Sequence, residues 1–328
     1  MQQPSFQLGF WGHRGSQTDH PLARAYGRAQ QPAENSLAAL TLALNQGASG
    51  VEVDVVRCAD DLVITHSHEL SQHVFLPDGT ADFSHGYVRN HTLAALKNLR
   101  VGVNRDGIMP TLDEVLSLMA QRHAELGRHP TLNLEIKDAK DSSEPDPARA
   151  DVVDLLVDKI TKGPLDPRHI VVSSFALEDL CRVAKHRSGV ALGMLFYGDP
   201  NQPLAPLYPA SPHHAHAMSF TVPNIEKAMQ CVAEYGGKLS SVHPEARDVT
   251  LATLQVAAAH GLSVNPWFMA EKKPSDNLDL LRHITHCARQ AGVPAMHLIS
   301  NFSGELSKLS WHGFAAKVKE ADASGLTK

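Results

Sequence analysis

The sequence is poor in the features that hold small secreted folds together or direct a chain to nucleic acid or lipid. Only four cysteines occur in 328 residues (Cys58, Cys181, Cys231 and Cys287), and no two form a CxxC pair. That distribution argues against a disulfide framework or a cysteine zinc site and implies reduced, mostly buried thiols. Cationic residues are not in excess: 30 Lys and Arg stand against 35 Asp and Glu, a formal net charge of −5. Such a balance leaves no basic footprint for nucleic acid, although a bound metal can reverse the local field and still admit a phosphate-bearing small molecule. No apolar run approaches the ~18 residues of a membrane span. The opening stretch MQQPSFQLGFWGHRG also lacks the basic region and apolar core of a signal peptide. The chain is therefore expected to be soluble and cytoplasmic, with no transmembrane segment.

What is present is a regular alternation. With 43% apolar and 20% charged residues the composition is that of an ordinary globular protein, and the length suits one α/β barrel. Short apolar runs at 7–12, 50–56, 62–65, 131–136, 169–173, 190–195, 238–242, 262–267 and 295–300 read as buried strands. Between them, 36–46, 111–125, 148–161, 176–186, 225–235, 250–260 and 277–291 have helical spacing. Ser36 is a credible N-cap before a helix that stops ahead of Gly47, and Thr111 with Glu114 three residues on has the form of a capping box. Strands alternating with helices predict a parallel sheet with helical crossovers, and about eight such units predict closure into a TIM-type (β/α)8 barrel. The expectation is one domain over 1–328, with residues 70–108 forming a small insertion or cap after the second strand and 198–212, rich in proline, forming a long loop.

The chemistry is concentrated at a few strand ends. In Gly50-Val51-Glu52-Val53-Asp54-Val55 the two acids share one face of a strand while the valines share the other. Adjacent carboxylates inside a barrel are costly unless something positive neutralises them, and a divalent cation with oxygen ligands does so. A solvated edge strand would also accommodate this pair. Glu135, in the strand Leu132-Asn133-Leu134-Glu135-Ile136-Lys137, adds a third inward acid on the face it shares with Asn133 and Lys137. Three carboxylates suit Mg²⁺ or Ca²⁺ better than structural zinc. Lys137 then has two readings, as a phosphate ligand or as a plain salt-bridge partner of these acids. Gly12-His13-Arg14-Gly15 follows the first strand, where barrel active sites lie. Arginine offers a planar fork to a phosphate, and histidine exchanges protons near neutrality. His66, after the run 62–65, is a second strand-end imidazole, with His68 as a competitor. Cleaving a phosphodiester needs both an acid and a base. The cluster His213, His214 and His216 reads as a solvated loop.

In this order the motifs resemble the glycerophosphodiester phosphodiesterase family of the phospholipase-C-like phosphodiesterase barrels. His13-Arg14-Gly15 comes first, then Pro32-Ala33-Glu34-Asn35-Ser36, then the run from Gly47 to Val55. Val63-Ile64-Thr65-His66, Met109-Pro110-Thr111-Leu112-Asp113-Glu114-Val115-Leu116 and Leu134-Glu135-Ile136-Lys137 follow, with Ser173-Ser174-Phe175 and the stretch near Trp267 after them. The resemblance implies Glu52, Asp54 and Glu135 as ligands of one divalent cation, Mg²⁺ or Ca²⁺, and His13 and His66 as the acid/base pair. It implies a substrate site of Arg14, Lys137 and Trp267, with Glu34 and Asn35 in support. The implied reaction is hydrolysis of a glycerophosphodiester to glycerol 3-phosphate and an alcohol, by way of a cyclic phosphate. Two alternatives are a lysophospholipase D acting on a single-chain lysolipid and a non-catalytic phosphate-binding barrel. For the lysolipid reading, Phe175, Phe196, Trp267, Phe268 and Phe302 are the available apolar lining. The chain departs from the family pattern at Asp60-Asp61, at Ser67 after the second histidine, at Asn265-Pro266-Trp267-Phe268 and at Ser300-Asn301-Phe302-Ser303. These changes fall at predicted strand ends and loops and are expected to bear on substrate choice.

Overall fold

Two helix starts form at the caps that the sequence marks. Thr111 Oγ1 accepts from the Glu114 amide at 3.1 Å while the Glu114 carboxylate accepts from the Thr111 amide at 2.7 Å, so two otherwise orphaned donors are satisfied reciprocally. Ser36 Oγ likewise accepts from the Ala39 amide at 3.2 Å. The computed structural model describes residues 6–16, 32–70, 74–76, 86–102, 104–105, 107–137, 149–197, 218–268 and 278–307. The predicted loop 198–212, the histidines His213, His214 and His216, and part of 70–108 (His73, Pro77, Asp78, Gly79, Asp82 and His85 among it) lie outside those residues.

Eight parallel strands close on themselves. In chain order they are β1 (Gln7–His13), β2 (Gly50–Arg57), β6 (Thr131–Ile136), β7 (Ile170–Ser174), β8 (Ala191–Phe196), β9 (Leu239–Pro244), β10 (Ser263–Val264) and β11 (Ala295–Ser300). The ring runs β1-β2-β6-β7-β8-β9-β10-β11 and returns to β1. Helices α1 (Leu37–Asn45), α3 (Leu112–Leu126), α4 (Arg149–Lys162), α5 (Leu177–His186), α6 (Val222–Glu234), α7 (Leu251–Ala259), α8 (Leu278–Ala291) and the short α9 (Ser303–Leu306) follow these strands in turn. The protein is a TIM-type (β/α)8 barrel.

One predicted strand is not part of the ring. The run at 62–65 forms β3 (Leu62–Ile64), which pairs antiparallel with β2. The tight return after Arg57 leaves no room for the crossover helix that a parallel neighbour needs. The hairpin has a functional consequence: it folds Thr65 back onto Asp54, with the Thr65 amide donating to the Asp54 carbonyl at 3.0 Å, and so delivers His66 to the acids of β2. Beyond it, β4 (Val74–Phe75) and β5 (Arg100–Val101) pair antiparallel, with α2 (Leu93–Lys97) between them. Leu70, Val88, Leu96, Leu99 and Met109 bury themselves against Val56, Cys58 and Val63 of the hairpin. This second apolar cluster is separate from the main core.

The main core lies between strands and helices, where Val51, Val53 and Val55 meet Leu40, Leu112 and Leu116. Truncating such a buried leucine to alanine costs about 2–5 kcal/mol. The barrel interior is more polar. Trp11 stacks on His297 at 5.1 Å and meets the His243 ring edge-on at 5.9 Å. Ser241 and Asn265 bond to His243 Nε2 at 2.8 and 3.1 Å. This layer fills the barrel beneath the strand C-termini and makes a floor for the site above it.

Candidate active site

Strand register, more than any one side chain, assembles the site. His13 on β1 lies directly beside Glu52 on β2, and Asp54 on β2 directly beside Glu135 on β6. All four side chains therefore emerge at one end of the ring, with Arg14 and Lys137 one and two residues further along their strands. The turn after β1 is unusual: Arg14 has φ +53° and Gly15 φ +83°. A Cβ on Gly15 would stand 2.5 Å from the Ala39 carbonyl carbon, so only glycine lets this turn lie against the start of α1. The left-handed Arg14 turns its amide to the Glu52 Oε2, donating at 3.1 Å. Strain held at such a position is typical of functional sites.

The carboxylate oxygens of Glu52, Asp54 and Glu135 lie within 4.8 Å of one another, and all three residues are buried. Two cations answer them. Arg14 Nε is 3.1 Å from Asp54 Oδ2, and Lys137 Nζ is 3.1 Å from Asp54 Oδ1 and 2.7 Å from Glu135 Oε1. Burial would raise Asp54, but Lys137 and then Arg14 overcome it and hold the carboxyl far below its usual range. For Glu52 the balance is reversed: burial, then repulsion from Asp54 and Glu135, outweighs the pull of Arg14 and Lys137 and pushes it well above the ordinary value. Burial also raises Glu135, against the pull of Lys137. Glu52 Oε1 is buried with no hydrogen-bond partner, as are both side-chain polar atoms of Asn133. Hard oxygen donors with unspent lone pairs and uncompensated charge fit a divalent cation such as Mg²⁺ or Ca²⁺.

The imidazoles flank the acids. His13 Nδ1 lies 2.6 Å from Asn301 Oδ1. An amide oxygen only accepts, so Nδ1 carries the proton and Nε2 presents its lone pair to the site, 3.9 Å from Glu52 Oε2. Burial, then the Arg14 charge, lowers His13 to about 3, so it is neutral. His66 stands at the mouth with its outer edge open to solvent. The enclosed site behind it, with the charges of Arg14 and Lys137, favours its neutral form too.

The cavity has about 780 Å³ of empty volume, mouth included. One side carries His13, Arg14, Glu52, His66, Glu135 and Lys137, and the other is apolar, with Phe175, Leu195, Tyr197, Trp267, Phe268 and Ile299. Phe175 meets Trp267 edge-on at 5.8 Å, and the indole of Trp267 is fixed by donating to the His243 carbonyl at 3.1 Å. Phe196 and Phe302, considered above as lining, are instead core residues, 0% and 1% exposed. Glu34 and Asn35 are not on the cavity wall. Glu34 accepts from Arg14 Nη1 at 3.0 Å, and Asn35 Nδ2 donates to Asp54 Oδ2 at 2.8 Å, so they brace the residues that are. Ser67 is exposed and accepts from the Glu69 amide at 3.1 Å. Asn301, one of the departures from the family pattern, lies against the His13 imidazole. Tyr197 was not singled out in the sequence, and the contact of Asn301 with His13 was not foreseen, because each lies just past a predicted strand end. Both continue the two-residue alternation of Leu195 and Ile299.

Three buried carboxylates, two cationic side chains and two imidazoles meet at the C-terminal end of a barrel, the place and the kinds of group that a phosphoric diester hydrolase uses. The model of the glycerophosphoryl diester phosphodiesterase family matches residues 13–296. The chain belongs to that family. No curated protein matches it in sequence. Among solved structures it is similar to a protein of Silicibacter pomeroyi DSS-3 assigned to the glycerophosphoryl diester phosphodiesterases, with 22% identity over 95% of each chain and a TM-score of 0.65. It is also similar to an Oleispira antarctica phosphodiesterase solved with the product sn-glycerol-3-phosphate, at 20% identity over 94% of this chain and 98% of that one, TM-score 0.59. A Thermotoga maritima glycerophosphodiester phosphodiesterase matches at 19% identity over 93% and 98%, TM-score 0.55. Among the described residues no helix is long and apolar enough to cross a membrane.

Proposed function

We propose that the protein hydrolyses glycerophosphodiesters to glycerol 3-phosphate and an alcohol, using one divalent cation held by Glu52, Asp54 and Glu135 and proton transfer by His13 and His66. The observation that carries this reading is the convergence of the three carboxylates, within 4.8 Å of one another, with Glu52 and Glu135 lining one cavity together with both imidazoles, Arg14 and Lys137. The family membership and the product complex of the Oleispira antarctica relative support the substrate class. A divalent ion at these acids would polarise a phosphoryl oxygen and acidify a hydroxyl.

The protein's own residues do the rest. Arg14 and Lys137 bind the phosphate oxygens, each already oriented by its acids. The Nε2 of His13, aimed by Asn301, takes the proton of the glycerol 2-hydroxyl as that oxygen attacks phosphorus. The bond from phosphorus to the leaving alcohol breaks, and His66 supplies its proton. The phosphate charge between Arg14 and Lys137 offsets their field at His66 and lets it carry that proton. Water then opens the cyclic phosphate with the proton roles reversed. Residues 70–108 are read as an insertion within a single barrel domain.

The apolar wall of Phe175, Tyr197, Trp267 and Phe268 favours one second reading, a lysolipid diester whose acyl chain lies against it. Turnover of glycerophosphocholine and of lysophosphatidylcholine, each with Mg²⁺, Ca²⁺ or chelator, decides between them. Metal-dependent release of choline from the first substrate is expected. Release from the second alone would transfer the assignment to lysolipids, and no release from either would overturn both.

A further inference from the structure

The opposite end of the barrel holds a second group of metal-ligating side chains. His123 lies in the last turn of α3, His129 just ahead of β6, and His169 immediately ahead of β7. They are at strand N-termini, about 20 Å along β6 from the carboxylates. Each offers a ring nitrogen, and the three nitrogens lie within 4.8 Å of one another.

The orientation of His123 is that of a ligand. Its Nε2 lies 2.8 Å from the Pro130 carbonyl, which only accepts, so the proton is on Nε2 and the lone pair on Nδ1. Metal-bound histidines are held in this way, with the far N–H donated to a carbonyl. The Nδ1 points into the cluster and accepts from His129 Nδ1 at 3.2 Å, a bond whose proton an ion would replace. Nitrogens at that separation subtend roughly 100° at an ion about 2.1 Å from each, close to the tetrahedral angle. His169 stacks on His129, centroids 4.7 Å apart, and sits edge-on to His123 at 4.9 Å. A turn of the half-buried His169 about its side-chain torsions brings its nitrogen to the ~3.4 Å spacing of a shared coordination sphere. The Arg128 guanidinium is turned away, donating to the carbonyls of Ala48 and Leu44 at 2.8 and 3.0 Å.

We infer that His123, His129 and His169 form a binding site for a borderline transition-metal ion of the Zn²⁺ type, remote from the reaction and tying the end of α3 to the starts of β6 and β7. Imidazole nitrogens suit zinc, copper or nickel and not the hard cations that the carboxylate end selects. The two ends would therefore load different metals.

The test uses the full chain with Mg²⁺ in excess, so that the carboxylate end is not free to take zinc. Zn²⁺ uptake is measured by equilibrium dialysis for the wild type and for a His129→Asn, His169→Asn double variant, which leaves buried His123 in place. The wild type should bind one more zinc per chain than the variant, and zinc should raise its Tm but not the variant's. With Co²⁺ the wild type alone should show the intense visible bands of a tetrahedral nitrogen site. Equal zinc uptake by the two proteins, or none by the wild type, would overturn the inference and leave the three rings as packing. Diester hydrolysis with Mg²⁺ should be the same in both, so failure here is distinguishable from failure of the catalytic reading.

Discussion

The two ends of this barrel carry the same kinds of element and opposite chemistry. At the strand C-termini, buried carboxylates crowd together and are only partly matched by Arg14 and Lys137. At the N-termini of β6 and β7, three imidazoles crowd together, ring against ring. The first group is built at a cost in folding energy, because burial and mutual repulsion push Glu52 and Glu135 up. The stacked rings carry no such crowding of buried carboxylates. A protein tolerates the first arrangement only for what it binds, which is why the acids are the better pointer to function.

The largest effect should come from removing charge at the costly end. Glu52→Gln keeps an acceptor for the Arg14 amide but lowers hydrolysis by more than about 10³-fold, on the scale of losing an essential electrostatic group. In chelator the same variant should be at least as stable as the wild type. The sign follows from the raised pKa of Glu52: its ionised form destabilises the folded state as pH rises above the ordinary carboxyl range, and glutamine removes that penalty. A lower Tm than the wild type in chelator would contradict this. His13→Ala and His66→Ala should each reduce kcat by about 10²–10⁴-fold. Near-normal turnover in either would remove that histidine from the pair.

A smaller loss is expected one step back from the chemistry. Asn301→Leu deletes the acceptor for His13 Nδ1–H and should cost about 10–100-fold in kcat, the usual range for such orienting partners, with KM little changed. Asn301→Asp should restore it. Trp267→Ala should weaken lysolipid turnover more than that of glycerophosphocholine, since only an acyl chain needs the apolar wall. Equal losses would mean that the wall serves the glycerol side. Smallest of all, His129→Ala at the other end should leave Mg²⁺-supported hydrolysis within about twofold, as for exposed sites generally.

The contrast also accounts for what could be read from the sequence. Glu52, Asp54 and Glu135 were visible because a strand fixes side-chain direction by a two-residue period, and three acids on inward faces stand out against valine and leucine. The barrel was legible for the same reason, as apolar runs alternated with capped helices. The antiparallel return at Leu62–Ile64 was not, because an apolar run has no direction of its own and pairing is set by the length of the connection. Tyr197, and the hold of Asn301 on His13, were missed where the strands end and the alternation continues unannounced. The His123, His129 and His169 cluster could not be found by spacing at all. Its members meet through the docking of α3 against two different strands, and among 20 histidines nothing local distinguishes them.

The most direct test of the account is the metal dependence of glycerophosphocholine hydrolysis in the wild type and in Glu135→Gln. The wild type, stripped with chelator, should be inactive and should recover saturably as Mg²⁺ or Ca²⁺ is returned, while Glu135→Gln should stay flat over the same range. Full turnover in chelator, or an unchanged metal response in the variant, would contradict the assignment of these acids as the cation site.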